Sequence, residues 1–254
     1  MAKSTNFKID PKLAELLGET YKSVEDAIKE LVDNAHDADA DNIWIKLPEP
    51  FEVNAIVEIS DDGTGMKEQE VKNEYLKIAS SRLSRKGDKS LIKKRKVKGR
   101  KGIGKFAGLM VAEAMIVSTK AGGKETKLSI VKSSLSKGNY DLEKVKLPID
   151  VFDCDKSEHG TTIVLQGLND NFNFPNSEKL KEILVWDYGR VHDLNIFVNN
   201  EKIGVQDFQG KTVEKEILLK DGVKGKLIYT ITDKPVKSSG IAYRVGNKIV
   251  GRPE

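Results

Sequence analysis

The sequence predicts an α/β fold: a two-layer sandwich with helices on one face of a mixed, mostly antiparallel sheet, followed by the start of a second α+β domain. Three observations predict it. Apolar residues recur at spacings of three and four through 11–36, then alternate at two from Ile43 onward, so a helix gives way to strands. The order that follows is helix, strand, strand, helix, helix, strand, strand. A chain of 254 residues with 38% hydrophobic and 32% charged residues can bury the core of one large or two modest domains.

Each element has its own signal. Leu13, Leu16 and Leu17, then Val24, Ala27, Ile28, Leu31, Val32 and Ala35, mark one helical face, with Gly18 separating an N-terminal arm or short helix from the main helix. Residues 1–18 are a candidate arm reaching a partner subunit. Ile43 to Leu47 alternates as a strand that Pro48 and Pro50 end, and Val53 to Ile59 alternates again. A helix follows around 68–79, then a basic segment. Residues 105–114 read as a helix with small packing residues, and 115–119, 126–133 and 161–167 as strands. The turn-rich stretch 169–176 is the expected boundary between a first domain, 1–170, and a second, 171–254. The second carries a helix at 177–189 and strands near 194–199, 213–219, 225–232 and 241–245. It reaches Glu254 without a closing element, so it is expected to continue beyond the end of this chain.

Composition excludes several classes. No apolar run is long enough to span a membrane, and the N-terminus has no signal-peptide core, so the expected home is the cytoplasm. One cysteine, Cys154, allows no internal disulfide, and His36, His159 and His192 are scattered without zinc-ligand spacing. The net charge of +4 is modest, but its distribution is uneven: residues 82–105 hold twelve Lys or Arg against one acid, Asp88. Lys93 to Lys96 reads either as a solvated loop or as a nucleic-acid contact, and no aromatic residue interleaves it to stack on bases.

Four segments carry chemistry. Glu30, Asn34 and Asp37 share one helical face at offsets of zero, four and seven. Such a face is either solvated or gathers around a cation or a water to be activated. Asp61-x-Gly63-x-Gly65 follows a strand directly; it suits a turn, and equally a carboxylate accepting from an exocyclic amine while glycine backbone approaches a flat ring. Gly99-x-x-Gly102-x-Gly104 precedes a helix at Lys105, where backbone N–H groups can meet phosphate. It is not a Walker A loop, since Phe106 follows Lys105, and no βαβ unit surrounds it. Gly160-Thr161 places a hydroxyl at a strand start and alone carries no message.

Joined in this order, the four segments resemble the boxes of the ATP-binding superfamily of gyrase, the heat-shock chaperone, histidine kinases and MutL, which has the Bergerat fold. The N-box Glu30-Leu-Val-Asp-Asn-Ala-His-Asp-Ala-Asp-Ala40 is similar to that of the microrchidia ATPases. Gly102 to Lys120 and Ile78-Ala-Ser-Ser81 look like the matching chaperone segments. The resemblance implies ATP and Mg²⁺ as ligands. In it Glu30 is the general base, Asn34 the Mg²⁺ ligand and Asp37 a neighbour of the adenine pocket. Asp61 reads the adenine amine with Thr161 in support, and Gly63, Gly65 and Met66 line the pocket wall. Gly99, Gly102, Ile103 and Gly104 cradle phosphates, and Lys101 and Lys105 are candidate phosphate cations. Asp33 and Asp39 are left as solvated. The basic segment becomes a lid, about 82–101. The implied function is slow Mg-dependent ATP hydrolysis coupled to lid closure and homodimerisation, in a machine acting on client protein or nucleic acid. The alternatives are a nucleotide-sensing module that hydrolyses little or nothing and a histidine-kinase catalytic domain, although no phosphoacceptor helix precedes the N-box.

Overall fold

The computed structural model describes residues 4–9, 23–49, 52, 54–78, 87–99, 102–136, 142–189, 191, 193–204, 211–218, 224–232, 243–245 and 248–250. Helix α1, Val24–Asp37, starts where the Ser23 hydroxyl accepts the Asp26 N–H at 3.1 Å, with Glu25 and Asp26 in the positive first turn. It ends in a Schellman arrangement: Asp39 takes the left-handed conformation (φ 65°), and the Ala40 N–H reaches the Ala35 carbonyl at 3.2 Å. The apolar face read from the sequence is the buried one: Val24, Ala27, Ile28, Leu31, Val32 and Ala35. The part of that helical reading before Ser23 lies outside the described residues.

Nine strands form the main sheet. They are β1 (Ser4–Thr5), β3 (Asn42–Lys46), β4 (Val57–Asp61), β6 (Ala112–Ala121), β7 (Lys124–Val131), β8 (Leu147–Asp153), β9 (Gly160–Leu168), β10 (Asn195–Val198) and β11 (Glu201–Lys202). Their spatial order is β1-β8-β7-β6-β9-β4-β3-β10-β11, and every pairing is antiparallel except β3 with β10. Alternate residues turn inward: Ile43 and Ile45, Val57 and Ile59, Met115 and Val117, Ile163 and Leu165 are all buried in one core with the face of α1. The sandwich with a mostly antiparallel sheet is therefore the observed fold. β8 carries no turn signal of its own and has Pro148 at its second residue. Only Leu147, Ile149 and Val151 alternate to betray it.

Three local readings change. The helix expected around 68–79 is a short α-turn, Glu68–Glu70, that widens into a π-turn at Val71–Tyr75 and stops before the two-residue strand β5, Lys77–Ile78. The helix expected at 105–114 is a single 3₁₀ turn, Gly104–Phe106, and one α-turn, Gly108–Val111; the strand starts at Ala112, three residues early. The chain can turn this tightly because Gly108 packs where a side chain would meet Leu165 at 2.4 Å. Third, the described N-terminal residues pair within their own chain. β1 pairs β8, strand β2 (Lys8–Ile9) pairs β5, and buried Phe7 meets Phe106 edge-on at 5.6 Å.

The turn-rich stretch at 169–176 leads back to the same sheet. Helix α5, Ser177–Tyr188, buries Leu180, Leu184 and Tyr188 in the common core, and β10 runs parallel to β3. The Asn199 carboxamide oxygen accepts the Leu47 N–H at 2.8 Å, and Asn195 donates to Asn42 at 2.9 Å, so this edge is tied as well as paired. Beyond it, β12 (Lys211–Leu218) with β13 (Lys224–Ile231), and β14 (Tyr243–Val245) with β15 (Lys248–Val250), form separate two-stranded sheets.

The described part of the basic segment, 87–99, is tied to the body of the fold at Ser90, Arg95, Val97 and Lys98, which are buried, while Lys89, Leu91, Ile92, Lys94 and Lys96 stay exposed. The Ser90 and Arg95 backbones pair at 2.8 Å, and Val97 donates to Asp88 at 2.9 Å. Buried Arg95 donates to the Asp193 carboxylate at 2.6 Å and the Ala40 carbonyl at 2.6 Å, while Lys93 pairs with Asp41. Arg95→Ala would leave that carbonyl without its donor, and should cost about 2 kcal/mol in urea unfolding.

Candidate functional site

Three neighbouring strands bring three side chains into one row. Asp61 at the end of β4 lies opposite Thr161 at the start of β9, and Thr161 lies opposite Thr119 near the end of β6. The Asp61 carboxylate accepts the Gly63 N–H at 2.8 Å and is also bonded by backbone at Thr161. Burial outweighs those bonds and pushes its pKa up to about 6. Thr119, fully buried, accepts the Met66 N–H at 2.9 Å and sits 3.0 Å from the Thr161 hydroxyl. The threonine pair thus couples the Asp61 strand end to the loop that carries Met66.

Glycine is required at two points around this row. Gly65 (φ 61°) would place a Cβ 1.9 Å from the Lys120 carbonyl oxygen, and Gly160 (φ 116°) would place one 2.1 Å from that of Asp61. The loop 61–66 is also clamped from outside: Thr64 donates to the Ala38 carbonyl at 2.8 Å, and the His159 Nδ1–H donates to the Gly63 carbonyl at 2.9 Å. The C-terminal end of α1 is therefore held against the strand end that carries Asp61.

The acidic run of α1 does more than the sequence indicates. Asp37 is buried and grips the start of the glycine box: its two oxygens accept the Lys98 and Gly99 N–H groups, each at 2.8 Å, with His36 Nδ1 at 3.1 Å. Gly99 faces Asn34 as well; a Cβ there would lie 3.7 Å from Asn34 Oδ1 and 3.3 Å from Asp37 Oδ2. Asn34 Nδ2 is buried without a hydrogen-bond partner, and Glu30 stands one turn before it, half-buried.

Asp33 and Asp39, expected to be solvated, are both engaged. Asp33 accepts the Tyr188 hydroxyl at 2.6 Å and pairs with the Lys98 ammonium at 3.1 Å. Asp39 is buried and accepts the Ile92 and Lys93 N–H groups at 2.7 and 3.1 Å; against the cost of burial, a hydrogen bond from the Ser90 side chain, these two N–H groups and the charge of Arg95 hold its pKa below the usual carboxylate range. Their partners lie some 60 or 150 residues away in the chain, which helix periodicity cannot foresee.

The phosphate-side candidates divide. Gly102 takes φ 74° and leads through Ile103 into the Gly104–Phe106 turn. Lys105 donates to the carbonyls of Lys77 at 2.7 Å and Glu74 at 3.2 Å, so its ammonium ties down the 68–78 segment. Lys101 lies outside the described residues, as do residues 82–86 and 100 of the expected lid. Thr119, Lys98 and Tyr188 belong to the site and were not picked out beforehand. Only the register of Thr119 beside Thr161 left a trace in the sequence, as one more polar residue in an alternating strand.

Among the described residues, no group of three or more His, Cys, Asp or Glu side chains is placed to hold a metal ion. No described helix is long and apolar enough to cross a membrane.

Residues 21–161, more than half of the chain, match the family model described as histidine kinase-, DNA gyrase B-, and HSP90-like ATPase. Curated relatives point the same way. The chain is 27% identical to the chaperone protein HtpG of Buchnera aphidicola subsp. Baizongia pistaciae, over 70% of this chain and 30% of that protein. It is 30% identical to HtpG of Pasteurella multocida over 65% and 27%, and 28% identical to HtpG of Vibrio atlanticus over 77% and 32%. The chain thus spans about a third of the length of the curated relatives it matches.

Proposed function

The chain belongs to the histidine kinase-, DNA gyrase B-, and HSP90-like ATPase family, and from that premise we propose that it binds ATP with Mg²⁺ and hydrolyses it slowly. The single observation that supports this reading is the clamp that holds the C-terminal end of α1, the helix of Glu30 and Asn34, against the strand end that carries Asp61.

Each residue then has a task. Asp61 accepts the adenine amine, with the Thr161–Thr119 pair fixing the surrounding loop and Gly63, Gly65 and Met66 forming the wall. Gly102, Ile103 and Gly104 offer backbone N–H groups to the phosphates. Asn34 supplies a carboxamide oxygen to Mg²⁺, an ion that takes few protein ligands and fills its octahedron with phosphate oxygens and water. The residues fit that ion and its phosphate: the Asn34 oxygen faces the bare Cα of Gly99, with no Cβ to cover it, and the unsatisfied Nδ2–H is left to donate to a phosphate oxygen. When bound, the ion would neutralise phosphate charge. Glu30, one turn away, would take the proton of the attacking water at its carboxylate. Asp37 acts by holding the Lys98–Gly99 backbone and not by touching adenine. Among the described residues, Arg95 is committed to Asp193 and the Ala40 carbonyl and offers no in-cis arginine finger, in keeping with slow turnover.

The wider cycle follows as part of the same proposal. The docked segment 87–99 is the described part of a lid that rearranges over nucleotide, coupled to homodimerisation in a cytoplasmic, chaperone-like machine. Residues up to about 204 make the ATP-binding unit, and a transducer-like domain starts with β12. Of Lys93 to Lys96, only Lys94 and Lys96 are exposed without a described anionic partner, which favours client protein over nucleic acid as the substrate of the cycle.

The pKa of Asp61 gives a direct test. Its carboxyl is pushed up to about 6 from 3.8, so the folded protein takes up a proton there that the unfolded chain does not. Acidification through that window relieves the burial cost of its charge but removes the acceptor that adenine needs. Adenosine, which has no titrating phosphate, should bind with constant affinity above pH 7 and roughly tenfold more weakly for each unit below 6. Affinity that stays flat from pH 7 to 5 would contradict the role of Asp61.

A further inference from the structure

On the reading that this cleft binds ATP, we propose that Lys98 is a cation for the terminal phosphate of the nucleotide, held by Asp33 until the phosphate takes it over. The position comes first. Lys98 precedes Gly99, the glycine that faces Asn34, and its own N–H is fixed by Asp37 at 2.8 Å. Backbone movement is therefore restrained, and the long side chain is the part left to swing. Asp33, which now holds its ammonium at 3.1 Å, neighbours Asn34 in α1, so the two stations lie within the reach of one lysine side chain.

The pairing is of a kind that can be exchanged. Lys98 is buried to 9% exposure, with its ammonium 3.7 Å from the centre of the Tyr188 ring. Asp33 already accepts the Tyr188 hydroxyl at 2.6 Å, so it keeps a donor when the lysine leaves. A terminal phosphate carries more charge than one carboxylate and accepts at three oxygens, which makes it the stronger partner in a dry site. The buried Asn34 Nδ2, unpartnered, leaves a donor for a phosphate oxygen next to Asp33 in the chain.

Of the other described cations of the segment, Lys89, Lys94 and Lys96 are exposed, and three are committed elsewhere. Arg95 serves Asp193 and the Ala40 carbonyl, Lys93 serves Asp41, and Lys105 serves the carbonyls of Glu74 and Lys77.

The test is calorimetric titration of a non-hydrolysable ATP analogue, ADP and adenosine into the unsubstituted protein, Lys98→Met and Asp33→Asn, with thermal melts of each. Lys98→Met should lose roughly tenfold in affinity for the ATP analogue relative to ADP, with adenosine unchanged. Asp33→Asn, which removes the competing charge, should raise the preference for the ATP analogue over ADP several-fold. Equal losses across all three ligands in Lys98→Met, or an unchanged preference, would overturn the role of Lys98 while leaving ATP binding intact. If Lys98→Met melts before it can be titrated, an unchanged preference in Asp33→Asn overturns it instead. No binding of any ligand to the unsubstituted protein would overturn both this role and the ATP reading.

Discussion

Glu30→Ala is expected to abolish measurable ATP hydrolysis while leaving ATP affinity within a few-fold of the unsubstituted protein. The residue stands one helical turn before Asn34, half-buried, near enough to Tyr188 for its charge to help raise that hydroxyl's pKa. A positioned general base contributes roughly 10²–10⁴ in rate, and the acidic residues that follow Glu30 are tied to other groups. Asp33 holds Tyr188 and Lys98, Asp37 holds two backbone N–H groups, and Asp39 holds two more. Phosphate release under single-turnover conditions reads the loss, and titration with the same nucleotide reads the retained binding. Equal turnover in the variant would remove Glu30 from the chemistry.

Gly160→Ala and Gly65→Ala should each destabilise the protein by about 3 kcal/mol or more and remove nucleotide binding. The cause is the crowding at the ends of the central strands. A Cβ at Gly160 would lie 2.1 Å from the Asp61 carbonyl oxygen, and one at Gly65 lies 1.9 Å from that of Lys120; backbone atoms cannot rotate away as a side chain can. Both positions also have positive φ. Relief requires parting β4 from β9 or lifting the 61–66 loop off β6, and either movement carries Asp61 or Met66 out of place. Gly87→Ala is the matched control: its φ is 77°, yet a Cβ there meets nothing within 4 Å, so it should bear the conformational strain without the clash. Urea unfolding of the three variants checks the order. A loss at Gly87 as large as at Gly160 would show that strain alone, and not the crowding of the site, sets the cost.

Much of this site was legible in the sequence because its requirements are local. The helical offsets of Glu30, Asn34 and Asp37, the glycines after a strand and the glycines before a turn are all short-range patterns, and their order along the chain identified the family. What could not be read is what depends on distant partners. Nothing local shows that Asp37 takes the Lys98 and Gly99 amides, about sixty residues on. Asp33 and Asp39 looked solvated because nothing near them in sequence offers a donor. Thr119 is one hydroxyl in an alternating strand until β9 sets Thr161 beside it. The fold shows the same division. The period-two runs of β3, β4 and β9 were evident, whereas β8, with a proline at its second residue, owes its place to pairing with β7 and β1. The stretch 169–176 has turn chemistry throughout, but a turn changes the direction of the chain without ending its core, and Leu180, Leu184 and Tyr188 return to that core directly after it.

The acidic run and the basic segment also prove to be one device. Asp33, Asp37, Asp39 and Asp41 each hold a group from residues 92–99: two hold a lysine ammonium and two hold backbone N–H groups. A segment held in this way can be both ordered and releasable, because its ties are hydrogen bonds and ion pairs more than buried apolar surface.

Calorimetric titration of a non-hydrolysable ATP analogue with Mg²⁺ into the protein and its Asp61→Asn variant tests the central claim most directly. Saturable binding to the unsubstituted protein, lost or weakened at least tenfold in Asp61→Asn, is the predicted result. No saturable binding to the unsubstituted protein, or equal binding to the two, would contradict it.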